Sequence, residues 1–254
     1  MANPTKAAPN GERVEVVDLD VLDKRLAEKR IEWSCEWLKG GDPDRRFRVD
    51  EDTPLDSFLQ SVKSFLKNKS GRDNWFCKIG VLRILAHGYG HCEYTSRDAY
   101  RKAQGKCENP HRKDVKAIHP GFGIEFCKDD INLETVEKFK SLNGLFYRQD
   151  AVGIELVGCG AAREESFFIY PNSTKKEHGF GRKLCKKLAE VTGTCVKASE
   201  AFQKMQIDSN EKTYRWGEEV QTVRGCARWG DFTGQVWIFK PDGKAEKLRP
   251  VQGK

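Results

Sequence analysis

The chain contains no apolar stretch approaching the roughly 20 residues of a membrane-spanning helix. Its opening residues, "MANPTKAAPNGE", hold no apolar segment of the kind a secretory signal needs. No CxxC pair occurs, so the commonest half of a structural zinc site is missing. Paired zinc fingers and the aromatic RRM signature are absent too, and nucleic acid is therefore not an expected partner. There is no internal repeat, and the nine prolines are dispersed, which leaves no long linker. These absences predict a protein without membrane contact and a cytoplasmic location, with signal-independent export compatible.

What is present fits one main domain. The 254 residues are 38% hydrophobic. Forty-five basic and 38 acidic residues give +7, a mild excess that permits an acidic partner without demanding one. The odd count of nine cysteines predicts mostly reduced thiols. Cys77, Cys127, Cys185 and Cys195 lie inside apolar runs, where a thiol acts as a small hydrophobe.

Residues 1–12 read as a disordered tail and 13–45 as an N-terminal helical segment. Within that segment "RVEVVDL" could form a first strand, and Leu22, Leu26, Trp33 and Trp37 fall at helical spacing after Asp20. Residues 46–254 form the main domain, with a charged surface insertion at about 95–120. "TPLDSFLQSVKSFLKN" predicts a helix with Thr53 as its cap. Leu133 to Phe146 predicts another, with Val136, Phe139 and Leu142 inward, and Phe180 to Val191 a third that stops at Gly193. "CKIGVLRILAH", "GIELVGC" and "TCVKAS" are short, nearly continuous apolar runs of the kind covered on both faces. "GQVWIFKPDG" adds a late strand closed by a turn. Strands alternating with amphipathic helices predict an α/β fold, a mostly parallel sheet of about six strands with helices on both faces.

Ligands of such sheets sit at the carboxyl ends of strands, and two runs end at His87 and Cys159. A thiolate attacks carbonyl carbon, and a neighbouring imidazole can take the thiol proton. Glycines beside both residues, in "HGYG" and "GCG", let backbone N–H groups approach a developing oxyanion.

A strand ending in His-Gly, then a helix, then a strand ending in Cys, resembles the caspase-like cysteine peptidases. "GIELVGCGAA", a loop, "GFGRKLCKKLAEVTGTCVKAS" and the late "GQVWIFKPDGK" are similar to the bacterial members, and the likeness covers about Phe47 to Gly243. It implies a caspase-like three-layer sandwich and peptide-bond hydrolysis through an acyl-enzyme, without a cofactor or metal. Cys159 would be the nucleophile, His87 the proton acceptor and donor, and the N–H groups of Gly88 and Cys159 the oxyanion hole. The substrate would be a polypeptide. Glu164 and Glu165 follow the nucleophile, and an acidic pocket there would favour Lys or Arg.

Arg83 lies four residues before His87 and Glu155 four before Cys159, so each charge faces the side of its site residue. Adjacent strands with level site residues predict an Arg83–Glu155 salt bridge, with heads closer than about 6 Å. Two other functions compete. One is a catalytically idle caspase-like recognition module whose basic helix 181–191 docks an acidic protein. The other is a zinc site made of His87, His91 and Cys92, although two glycines in "HGYGH" oppose the helix from which such a pair chelates best.

Overall fold

Alternation of Val17, Leu19 and Val21 with Asp18 and Asp20 has the period of a strand with one apolar face. The chain uses it that way. A computed structural model describes residues 6–7, 13–26, 44–70, 76–104, 113–201, 205–216, 219–229, 232 and 234–248. In chain order the first half holds β1 (Lys6–Ala7), β2 (Arg13–Asp23), β3 (Arg45–Val49), α1 (Leu55–Ser70), β4 (Phe76–Leu85), β5 (His87–Tyr94), α2 (Arg97–Lys102) and β6 (Val115–Glu125). The second half holds β7 (Val152–Val157), β8 (Ser166–Phe168), β9 (Lys176–His178), α3 (Gly181–Thr192), β10 (Cys195–Ser199), β11 (Met205–Trp216), β12 (Glu219–Trp229), β13 (Val236–Phe239) and β14 (Ala245–Leu248).

The central sheet has eight strands in the order β1-β2-β4-β7-β10-β13-β14, with β3 also paired to β2. Neighbours from β3 through β2, β4 and β7 to β10 run parallel, and β1, β13 and β14 pair antiparallel at the margins. The chain is thus α/β with a mostly parallel sheet. Among the described residues three hairpins stand outside it: β5–β6, β8–β9 and β11–β12. No helix among the described residues is long and apolar enough to cross a membrane.

One core lies between the sheet and α1, a 3-10 turn at Val136–Leu142, and α3. Ile79, Leu82 and Ile84 of β4 and Ile154 and Leu156 of β7 enter it from the sheet. Phe58, Val62, Phe139, Leu184 and Leu188 enter it from the helices. These three helical pieces pack against one another, so they share one face of the sheet. Helices were expected on both faces, and one was expected from residues 20–38, of which 27–38 lie outside the described residues.

The structure changes several boundaries. The helix expected from Asp20 does not start there, because β2 runs to Asp23 and a 3-10 turn, Lys24–Leu26, follows it. Residues 13–23 therefore belong to the sheet rather than to a separate helical segment. The inserted region is narrower than 95–120, since Val115 to Glu125 is β6 and pairs with β5. A hairpin, not a helix, thus follows His87. The Leu133–Phe146 segment is a 3-10 turn rather than an α-helix, although Val136, Phe139 and Leu142 are fully buried as its spacing predicts. Thr53 does not cap α1. Its hydroxyl is tied to Asp50, and the Leu55 N–H donates instead to Asp129 Oδ2 at 2.8 Å. That bond is the main reason the Asp129 carboxyl lies below its ordinary pKa. Asp129→Ala is expected to cost about 1 kcal/mol in a urea titration, the usual worth of a helix cap.

Across the other face of the sheet one register row reads Asp20, Arg83, Glu155, Lys197 on β2, β4, β7 and β10. Arg83 reaches Asp20 at 3.1 Å, Asp18 at 3.5 Å and Glu155 at 3.3 Å. Glu155 also takes Lys197 at 3.0 Å. The expected Arg83–Glu155 salt bridge is present, in the expected register.

Candidate active site

Leu85 of β4 and Val157 of β7 are register partners. His87 and Cys159 each stand two residues beyond that pair, so parallel pairing delivers them to the same rim. The Ala86 N–H still donates to the Val157 carbonyl, and there the ribbons part: β4 turns into the β5–β6 hairpin while β7 turns into a loop. At this point the backbones touch. A Cβ added to Gly88 would lie 1.8 Å from the Cys159 carbonyl oxygen and 3.0 Å from its nitrogen. A Cβ on Gly158 would lie 3.0 Å from the Ala86 carbonyl oxygen and 3.7 Å from the Gly88 nitrogen. The amides of Gly88 and Cys159, the two expected oxyanion donors, are thus neighbours. Glycine at position 88 is a steric requirement.

Gly88→Ala is expected to force the hairpin away from the loop, because backbone rather than a flexible side chain stands in the way. Displacement of about 1 Å between reacting groups can cost 10²-fold in rate. Thiol-labelling rates for this variant should drop on that scale.

His87 is exposed and Cys159 partly so, and both are open to a macromolecular substrate. The His87 Nε2 lies 3.1 Å from the carbonyl oxygen of Arg25. A carbonyl only accepts, so Nε2 carries the hydrogen and Nδ1 holds the lone pair. The Arg25 guanidinium is fixed in turn. It makes a two-pronged pair with Asp23, at 2.9 and 2.8 Å, and donates to the Cys127 carbonyl at 2.8 Å. Asp23 is fully buried and also accepts from the Cys127 N–H. Sequence reasoning missed this support. The group touching the histidine is a main-chain carbonyl, which every residue carries.

The other free thiols are poor nucleophiles. Burial pushes Cys77 up to about 11 and moves Cys127, Cys185 and Cys195 upward as well. Cys92 is disulfide-bonded, which corrects the expectation of reduced thiols at that position. Its partner is not among the free cysteines Cys77, Cys127, Cys159, Cys185 and Cys195. The disulfide also removes Cys92 as a zinc ligand. His91 is stacked on Phe122 with ring centres 3.9 Å apart, and His87 faces Arg25, so the three expected ligands do not converge. No group of three potential metal ligands occurs among the described residues.

Glu165 is committed elsewhere, to His119 Nδ1 at 3.2 Å and Arg163 at 2.5 Å. Glu164 is exposed. The basic helix is partly neutralised: Arg182 pairs with Glu200, and Lys187 with Glu137 and Glu190, while Lys183 and Lys186 stay exposed.

No protein-family model matches the chain, and no curated protein or solved structure is similar enough to count as a match.

Proposed function

We propose that the protein is a cysteine endopeptidase of the caspase-like kind, with Cys159 as nucleophile and His87 as its proton acceptor. One observation carries this reading: the ends of two register-matched parallel strands bring the Gly88 amide against Cys159, with the His87 imidazole held in one tautomer by the Arg25 carbonyl.

In the proposed cycle the Cys159 thiol gives its proton to His87 Nδ1 as sulfur attacks the scissile carbonyl. The carbonyl oxygen becomes an oxyanion and takes the N–H groups of Gly88 and Cys159. The Nε2–H bond to Arg25 strengthens as the ring becomes cationic, which favours the charged intermediate. The imidazolium then protonates the departing amine, leaving a thioester on Cys159. Water attacks that thioester, with His87 now accepting the water proton, and the acid product and free thiol are released.

A peptide-based electrophile tests this. Peptide mapping should place its adduct on Cys159 rather than on Cys77, Cys127, Cys185 or Cys195. Cys159→Ala should lose it and His87→Ala should slow it. Equal labelling of all three proteins overturns the proposal. The exposed Lys183 and Lys186 favour a second reading, an idle module that docks an acidic protein through α3. Binding that survives Cys159→Ala and fails in the Lys183→Glu/Lys186→Glu variant would support that role.

A further inference from the structure

His119 sits in the middle of β6, and its register partner on β5 is another histidine, His91. Only 8% of its surface is exposed. Its ring stacks on Phe167 of β8, with centres 3.9 Å apart and planes 15° from parallel. Nε2 lies 3.0 Å from Glu93 Oε2 on β5, and Nδ1 lies 3.2 Å from Glu165 Oε2 in the loop after Cys159. Burial raises the pKa of both carboxyls. Lys116 and His119 outweigh it at Glu93, and His119 and Arg163 at Glu165, so both sit below their ordinary values. The ring thus has a carboxyl group beside each nitrogen, hydrogen-bonded at Nε2 and in close contact at Nδ1.

The ring therefore bridges two pieces of chain that carry different halves of the site. Glu93 and His119 belong to the hairpin that starts at His87. Glu165 belongs to the loop that starts at Cys159. The hairpin is also close-packed next door, against the loop after Cys159 and the start of α3. A Cβ on Gly160 would lie 2.5 Å from Pro120 Cγ, and the Phe180 N–H donates to the Gly121 carbonyl at 2.8 Å. The charged groups around the bridge are Lys116 on Glu93, Arg163 on Glu165, and the His91–Glu177–Lys175 set on the adjoining strands.

We infer that His119 is a positioning residue: set between Glu93 and Glu165, its ring holds the hairpin bearing His87 in register with the loop bearing Cys159. This deepens the peptidase reading and rests on it for its catalytic consequence, but the bridge has readouts of its own.

Wild type, His119→Gln, Glu165→Gln and the double variant His119→Gln/Glu165→Gln separate the outcomes. The first readout is amide exchange in residues 159–165. The second is the Cys159 labelling rate relative to a His87→Ala background. His119→Gln should speed loop exchange and cut the His87-dependent labelling by about tenfold. Both residues serve one bridge, so adding Glu165→Gln to His119→Gln should change the two readouts little further. Glu165→Gln alone keeps the ring and its stacking, and stands in should His119→Gln fail to fold. It should speed exchange in the loop but not in β5. If the two substitutions act additively, or Glu165→Gln leaves loop exchange unchanged, the bridge is mere packing and the inference falls. Altered exchange with wild-type labelling that never depended on His87 would instead sink the peptidase reading and leave the bridge standing.

Discussion

His87→Ala should lower the rate at which a peptide electrophile modifies Cys159 by about 10²–10⁴-fold, the usual worth of a positioned acid–base partner. With Nε2 bound to the Arg25 carbonyl, the free lone pair is on Nδ1 of the ring at the end of β4, level with Cys159 at the end of β7. Without the ring the sulfur must rely on its own ionisation, so labelling of the variant should climb with pH more steeply than that of wild type. His87→Gln sharpens the measurement, because an amide can reach the carbonyl but is no base at neutral pH. If His87→Gln labels as fast as wild type, the histidine is only a spacer. Changes that loosen the Arg25 clamp, such as Asp23→Asn, should produce a weaker version of the same slope.

The second large effect concerns Arg83. In Arg83→Met the cation at the centre of the row disappears, and Asp20 and Glu155 are left without it. Their side chains are only 6% and 19% exposed, so water cannot take over its role. Removing one partner from a buried ionic cluster costs about 3–5 kcal/mol, which a urea titration at neutral pH should report. The sign of its pH dependence follows from Asp20. Burial already holds this carboxyl above its ordinary value of 3.8, with the Arg83 bond pulling the other way. Losing Arg83 raises it further. A carboxyl whose folded value exceeds its unfolded one leaves stability intact below the unfolded value and erodes it as pH rises through the folded value. The deficit of Arg83→Met relative to wild type should therefore shrink on acidification toward pH 4. A deficit that is flat or grows toward acid would refute this account. Arg83→Met combined with Asp20→Asn and Glu155→Gln should recover much of the loss.

The parts of the fold legible in the sequence are those in which side-chain pattern and backbone state agree. Ile79, Leu82 and Ile84 are buried on a strand because a nearly continuous apolar run fits a covered strand. Leu184 and Leu188 share a helix face, and Gly193 ends that helix with φ at 67°. The Arg83–Glu155 pair followed from counting even offsets. The β5–β6 hairpin was hidden because "HGYGHCEY" and "VKAIHPGFGIE" carry four glycines and a proline, which read as turns. Pairing with each other overrides that preference. The β11–β12 hairpin was missed because "QIDSNEKTYRW" offers polar alternation without an apolar core face. At the site, His87, Cys159 and Gly88 could be named, since their side chains or lack of one announce the chemistry. Arg25 and His119 could not. One acts through its main chain, and the other matters only once a hairpin and a distant loop are seen to meet.

The charge row also bears on how the chain finds its strand order. Its signs alternate from β2 to β10, so setting β2 against β7, or β4 against β10, would place like charges side by side. Sliding β4 past β7 by one residue would drive Arg83 or Glu155 into the oily interior, and sliding by two would part them, leaving Arg83 to the β2 carboxylates and Glu155 to Lys197. Four largely buried residues thereby act as a key that favours one assembly of ribbons, the one that brings His87 and Cys159 to a common rim.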